Sequence, residues 1–233
     1  MSPPANSARR PILCYVTDRQ SLAPGLSRDD LGPLIERITS AASAGVDWIQ
    51  IREKDLSGKD ISDLVRRALV QTKQSNTQSA LAPRILVNDR LDVALAEHAD
   101  GIHLGENSLP PQHVRKWLTI NRERAGAEQF LVGVSCHSVS DARSAAAQGA
   151  DYIFFGPIFA TPSKASYGTP QGVERLAEVC RAVSVPVLAI GGITTQNASE
   201  CIGAGAAGIA AIRLFQDSSD LASLVADLRT AAR

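Results

Sequence analysis

Three cationic side chains in this sequence stand in polar company. Arg52 and Lys54 lie in Gln50-Ile51-Arg52-Glu53-Lys54, and Lys164 lies in Thr161-Pro162-Ser163-Lys164. Gathered beside Asn88, they would hold a polyanion larger than one phosphate, because hydrogen bonds between ionised partners are the strong ones. Asp89, next to Asn88, suits a Mg2+ ion, which takes one or two carboxylates and completes its shell with phosphate oxygens and water. The alternative is a structural ion-pair network among Arg52, Glu53, Lys54, Asp89 and Arg90. A second anion site is expected at Gly191-Gly192-Ile193-Thr194, where glycines let backbone N–H groups approach and Thr194 fits a helix N-cap. The competing reading there is a tight turn with no ligand. Arg213 adds a further cation to that end, unless it pairs on the surface with Asp217.

These residues need a scaffold that brings distant segments to one rim. Short apolar runs alternate with helix-like stretches throughout. Strands are expected at 12–17, 47–52, 84–88, 101–104, 130–135, 151–155, 186–190 and 207–212, with amphipathic segments at 31–44, 58–74 and 138–147. The last segment should end at Gly149 as a C′ glycine. Eight such units predict a single-domain (β/α)8 TIM barrel over 12–233, preceded by a flexible tail over 1–11. An internal echo agrees with this. Gly45-Val46-Asp47, Ala99-Asp100-Gly101, Gly149-Ala150-Asp151 and Gly205-Ala206-Ala207 mark the entries to strands 2, 4, 6 and 8. Alternate strands supply equivalent layers in a barrel, whereas an open doubly wound sheet gives no reason for the repeat. Active sites of barrels lie where strands end, and the polar residues named above all follow strands.

Composition narrows the partners. Lys+Arg and Asp+Glu number 24 each in 233 residues, for a net charge of +0. That excludes a bulk electrostatic grip on nucleic acid or on an anionic membrane, so any anion must be held locally. No apolar run approaches the ~18–20 residues that span a bilayer. Arg9-Arg10 is followed by no apolar stretch of signal-peptide type. Cys14, Cys136, Cys180 and Cys201 are widely spaced, which favours free buried thiols in a reducing cytoplasm over a zinc site or disulfides. Trp48 and Trp117 are expected to pack between barrel and helices, His103 to pack at the end of strand 4, and His98 and His113 to lie on helix surfaces.

The motifs IQIREK, VNDRLDVA, ADGIHLG, GVSCHS, ADYIFFGPIFATPSK and LAIGGI, in this order, resemble the thiamin phosphate synthase family. The resemblance runs from about 12 to about 215. It implies a transferase of thiamine biosynthesis that joins 4-amino-2-methyl-5-hydroxymethylpyrimidine diphosphate to a thiazole phosphate and releases pyrophosphate. The implied chemistry is dissociative: the C–O bond breaks first, and the thiazole nitrogen captures the pyrimidine-methyl cation. By position, Gln50 and Ser135 would address the pyrimidine, and Arg52, Lys54, Asn88 and Lys164 the diphosphate. Asp89 would hold Mg2+. Thr161, Ser163, Gly192, Ile212 and Arg213 would hold the thiazole phosphate. Lys164, Arg52 and Ser135 form the expected catalytic set.

Three positions depart from the family pattern. Ser108 stands where a second Mg2+ carboxylate is usual, with Glu106 two residues earlier. Ser163 replaces a threonine, and Arg213 replaces a serine. The loss at Ser108 keeps two rivals open: a thiazole tautomerase using His137 as acid and base, and a non-catalytic barrel that binds thiamin precursors. Lys54, Asp89 and Lys164 favour the synthase, because a tautomerase needs no diphosphate clamp. A homodimer is compatible with the sequence, although no stretch specifies its interface.

Overall fold

The computed structural model describes residues 10–22, 30–75, 82–121, 130–161 and 169–230. Eight parallel strands pair in chain order and close on themselves. They are β1 (Ile12–Val16), β2 (Trp48–Ile51), β3 (Arg84–Asn88), β4 (Gly101–Leu104), β5 (Leu131–Cys136), β6 (Tyr152–Phe155), β7 (Val187–Ile190) and β8 (Gly208–Ala211). The helices are α1 (Arg19–Leu22), α2 (Gly32–Ser43), α3 (Gly58–Ser75), α4 (Leu91–Ala96), α5 (Pro111–Ile120), α6 (Val139–Ala147), α7 (Gly172–Ala182), α8 (Ala198–Gly203), α9 (Arg213–Gln216) and α10 (Leu221–Thr230). The architecture is the expected (β/α)8 barrel, and each expected strand is present with its ends shifted by one residue at most.

Strands buried on both faces read as continuous apolar runs, which is why ILCYV and YIFF carry no polar alternation. Their outward side chains join the helices in one large core that includes Leu13, Ile49, Val87, Ile102, Val132, Ile153 and Ile209. Their inward side chains fill the barrel with a smaller cluster of Cys14, Val16, Leu86, Tyr152, Phe154, Leu188 and Ala210. Trp48 belongs to this interior, its ring centroid 4.8 Å from that of Tyr152, and not to the helix layer expected for it. Trp117 is 40% exposed on α5, so it does not fill the barrel–helix seam either. The cysteines are free thiols, three of them buried and Cys180 partly so. Among the described residues no helix is long and apolar enough to cross a membrane.

The echo at the even strands has a concrete cause. Asp47 donates its N–H to the Leu13 carbonyl at 3.0 Å and takes the Leu13 N–H on its carboxylate at 2.7 Å. Asp100 does the same to Ile85 (2.9 and 2.7 Å), and Asp151 to Val132 (2.8 and 2.7 Å). Each carboxylate thus latches its strand to the preceding one at the end remote from the rim. At β8 the place is Ala207, which keeps only the backbone bond to Val187, at 2.8 Å. Gly45, Gly149 and Gly205 precede these entries with φ of 90, 92 and 101°, and His98 takes the same left-handed place at 54°. His98 therefore lies just past a helix end rather than on a helix surface.

The expected tail, 1–11, lies mostly outside the described residues. Arg10 donates to the Gly45 carbonyl and to Asp47, both at 3.2 Å, and Arg229 donates to the Pro11 carbonyl.

Candidate active site

The register that closes the barrel also sorts the rim. Val16 faces Gln50, Asn88 faces His103, and Ser135 faces Phe154 across neighbouring strands. Gln50, Asn88, His103 and Ser135 therefore share the inward parity near the strand ends. Gln50, only 2% exposed, donates from Nε2 to Asn88 Oδ1 at 3.2 Å, so β2 and β3 carry one amide pair. His103, equally buried, lies 2.8 Å from Ser135 Oγ through Nε2 and 3.1 Å from the Tyr152 hydroxyl through Nδ1. Burial, aided by the Arg52 charge, pushes the His103 pKa down to about 3, so the imidazole is neutral at neutral pH.

Beyond β2 the chain turns into Arg52, Glu53 and Lys54. Glu53 is buried and accepts the Thr17 hydroxyl at 2.6 Å and the Arg19 N–H at 3.1 and 3.2 Å. Its burial raises the carboxyl pKa, opposed by those same hydrogen bonds. Thr17 accepts the Arg52 N–H at 3.0 Å, so a buried pair sets the backbone that carries the two cations. Arg19 pairs with Asp55 at 2.6 Å, and Arg90 pairs with Asp92 at 2.6 Å. The ion-pair network considered above is therefore not formed. Glu53 and Arg90 are satisfied elsewhere, and among the described residues the side chains of Arg52, Lys54 and Asp89 have no ionic partner. Asp89 holds the left-handed φ of 58°, with its N–H donated to the His103 carbonyl at 2.9 Å.

Ser108 turns inward on its own loop and accepts the Gly105 N–H at 2.7 Å, while Glu106 is exposed. Opposite, the segment after β6 runs along the end of β7: Ile158 N–H donates to the Ile190 carbonyl at 2.9 Å and Phe159 N–H to the Gly191 carbonyl at 3.0 Å. Gly192, with φ of 67°, could carry no Cβ, which would stand 2.7 Å from the Ala160 carbonyl oxygen. This contact brings the partly buried Thr161 toward the glycine turn. Asn197 braces that turn by accepting the Thr194 N–H at 2.8 Å and donating to the Gly192 carbonyl at 3.0 Å. Ile212 is partly buried against the barrel interior, and Arg213, one residue on, is exposed and forms no ion pair with Asp217 among the described residues. Ser163 and Lys164 lie outside the described residues. His137, at the end of β5, donates Nδ1–H to the Gly156 carbonyl, leaving Nε2 as its lone-pair nitrogen when neutral. Burial pushes the Cys136 thiol up to about 12, which removes it as a nucleophile.

The fold and rim define a (β/α)8 barrel whose strand ends gather cations, amides, hydroxyls and glycine turns, the layout of a barrel enzyme's active face. The family described as thiamine monophosphate synthase matches residues 13–215. A putative thiamine-phosphate synthase of Geobacter sulfurreducens is 41% identical over 200 residues, 86% of this chain and 84% of that protein. The thiamine-phosphate synthase of Methanoculleus marisnigri is 40% identical over 215 residues, 92% of each. The solved thiamine phosphate pyrophosphorylase from Pyrococcus furiosus superposes with a TM-score of 0.75 at 29% identity, covering 95% of both chains. The chain belongs to the thiamine monophosphate synthase family, and it is a transferase.

Sequence reasoning did not foresee Thr17 and Glu53 beneath the cations or the contacts of His103 and Tyr152. The inward parity that His103 shares with Gln50, Asn88 and Ser135 is the signal that would have found it.

Proposed function

We propose that this chain joins the pyrimidine diphosphate to the thiazole phosphate, forming thiamin phosphate and pyrophosphate. The observation that carries the reading is the set of rim charges without an ionic partner among the described residues, Arg52, Lys54 and Asp89, beside neighbours that are engaged. A buried ion-pair scaffold would have consumed them, whereas an anion site keeps them available. The activity named for the relatives of similar length supports the same reading.

In the reaction, the C–O bond of the pyrimidine substrate breaks and its electron pair leaves on the diphosphate. Arg52 and Lys54, with Lys164, stabilise that departing charge, and the NH2 of Asn88, whose Oδ1 takes the Gln50 amide, donates to it. Gln50 and Ser135 orient the pyrimidine ring, whose amino group stabilises the methyl cation. Thr161, Ser163, Gly192, Ile212 and Arg213 hold the thiazole phosphate so that the ring nitrogen faces the cation. No covalent nucleophile or general base is required.

The residues fit a Mg2+ ion shared with substrate better than one caged by protein. Among the described residues Asp89 offers one carboxylate without a partner, and no group of three or more His, Cys, Asp or Glu could cage a cation. When bound, the ion neutralises diphosphate charge; Asp89 and the Ser108 hydroxyl are the protein groups to hold it.

The test supplies pyrimidine diphosphate, thiazole phosphate and Mg2+ and follows both products. Turnover that disappears in Asp89→Ala is expected, and folded wild-type protein without turnover overturns the reading. Mg2+-independent isomerisation of the thiazole carboxylate phosphate, abolished in His137→Ala, would establish the tautomerase instead.

A further inference from the structure

Ser135, His103 and Tyr152 stand in line across β5, β4 and β6, and the line superficially resembles the serine–histidine pair of a hydrolase. In such an enzyme a carboxylate accepts Nδ1–H, which leaves Nε2 free to take the serine proton. Here the group at Nδ1 is a phenol, 3.1 Å away and 1% exposed, and its hydroxyl has no other partner among the described residues. A buried O–H donates somewhere, because an unmade hydrogen bond in the interior costs the full desolvation of the donor. Among the described residues, Nδ1 is the acceptor at hydrogen-bond distance. A neutral imidazole that accepts at Nδ1 carries its hydrogen on Nε2. Nε2–H therefore donates to Ser135 Oγ at 2.8 Å, and the serine proton is released to point elsewhere.

We infer that Tyr152 and His103 are positioning residues that set the Ser135 hydroxyl as a hydrogen-bond donor toward an acceptor atom, such as a ring nitrogen, of the pyrimidine. The relay runs in the reverse sense to a hydrolase, so Ser135 orients substrate and is not a nucleophile. Gly133 belongs to the same device. It faces both His103 and Tyr152 in the strand register, and a Cβ there would lie 1.9 Å from the Tyr152 ring carbon that bears the hydroxyl. One strand thus supplies the room for the phenol and, two residues later, the hydroxyl that the phenol orients. The inference rests on the reading that Ser135 addresses the pyrimidine.

Two measurements test it. Nitrogen-15 NMR of histidine-labelled wild-type protein should show His103 as the neutral Nε2–H form, and Tyr152→Phe should shift that equilibrium; a wild-type Nδ1–H form overturns the relay without any variant having to fold. In steady-state kinetics, Tyr152→Phe should lower kcat/KM for the pyrimidine diphosphate about tenfold, the worth of one good hydrogen bond. The KM for thiazole phosphate should stay unchanged. Added to Ser135→Ala, the same substitution should cost less than about twofold, since groups acting through one another are non-additive. Full additivity overturns the inference. A fully active Ser135→Ala removes the pyrimidine role of Ser135 itself, and with it the inference, while the NMR result then still reports the relay separately.

Discussion

The Thr17 hydroxyl donates to the Glu53 carboxylate at 2.6 Å and accepts the backbone N–H of Arg52 at 3.0 Å. This buried pair thereby sets the path of the segment that carries Arg52 and Lys54, the cations proposed to hold the diphosphate. Thr17→Val keeps the shape but leaves the Arg52 N–H without its acceptor and the buried Glu53 Oε1 with the Arg19 N–H alone. It should cost about 1–3 kcal/mol in urea unfolding. It should also lower kcat/KM for the pyrimidine diphosphate roughly tenfold, because small misplacements of binding groups are expensive in rate. A valine variant with wild-type stability and kinetics would detach this pair from the site.

Ser108→Asp adds a second carboxylate to the loop after β4, the strand next to the one that leads into Asp89. The Mg2+ concentration giving half-maximal turnover should fall several-fold, since affinity for hard cations rises with ligand charge. Titration of initial rate against Mg2+ measures it. An unchanged requirement would mean that substrate oxygens and Asp89 already saturate the ion.

His103 confers a pH dependence on folding. Its pKa is about 3 in the fold and ~6.5 in the unfolded chain, so between those values the unfolded state binds more protons. Stability contributed by this residue is therefore full above ~6.5 and falls as the pH drops, by about 2 kcal/mol between pH 7 and pH 5. Urea unfolding of the protein at both values should show this loss, and His103→Gln should remove that share of it. An equal loss in the variant would assign the slope to other groups.

His98 occupies a left-handed position that glycine takes at the three equivalent places, with φ of 54°. The strain of a side chain there is about 1–2 kcal/mol, partly offset by the greater freedom of glycine when unfolded. His98→Gly should therefore raise stability by roughly 0.5–1 kcal/mol. A fall in the unfolding midpoint would mean that the imidazole makes a contact worth more than the strain.

The barrel was legible because its signal is periodic and local: each strand is a short apolar run flanked by turn residues, and the strand ends follow directly. The rim residues were legible for a related reason, since whatever follows a barrel strand faces the site. What sequence could not reveal were pairings between distant residues. The alternative of an ion-pair network around Arg52 and Glu53 stayed open in the sequence, because Glu53 is turned inward to Thr17 and Arg19 only where the closed sheet brings β1 against β2. The His103–Tyr152 contact spans 49 positions and depends on Gly133 lacking a side chain. Trp48 misled for the opposite reason: a large aromatic usually fills a barrel–helix seam, but parity sends it inward. Ser163 and Lys164 lie outside the described residues, and their roles rest on resemblance.

The aspartate latches make the ring mechanically uneven. Three of its quarters, β1–β2, β3–β4 and β5–β6, are clasped at their base by both backbone and carboxylate, whereas β7–β8 has Ala207 and one bond fewer. Breathing motions that open a barrel cost least where the fewest bonds must break. Among the four odd–even strand pairs the unclasped one is β7–β8, which also bears the Gly191-Gly192 turn. On the proposed assignment, the glycine turn for the smaller phosphate rises from the one odd–even strand pair without that clasp, and the diphosphate groups Arg52, Lys54 and Asn88 rise from pairs that have it.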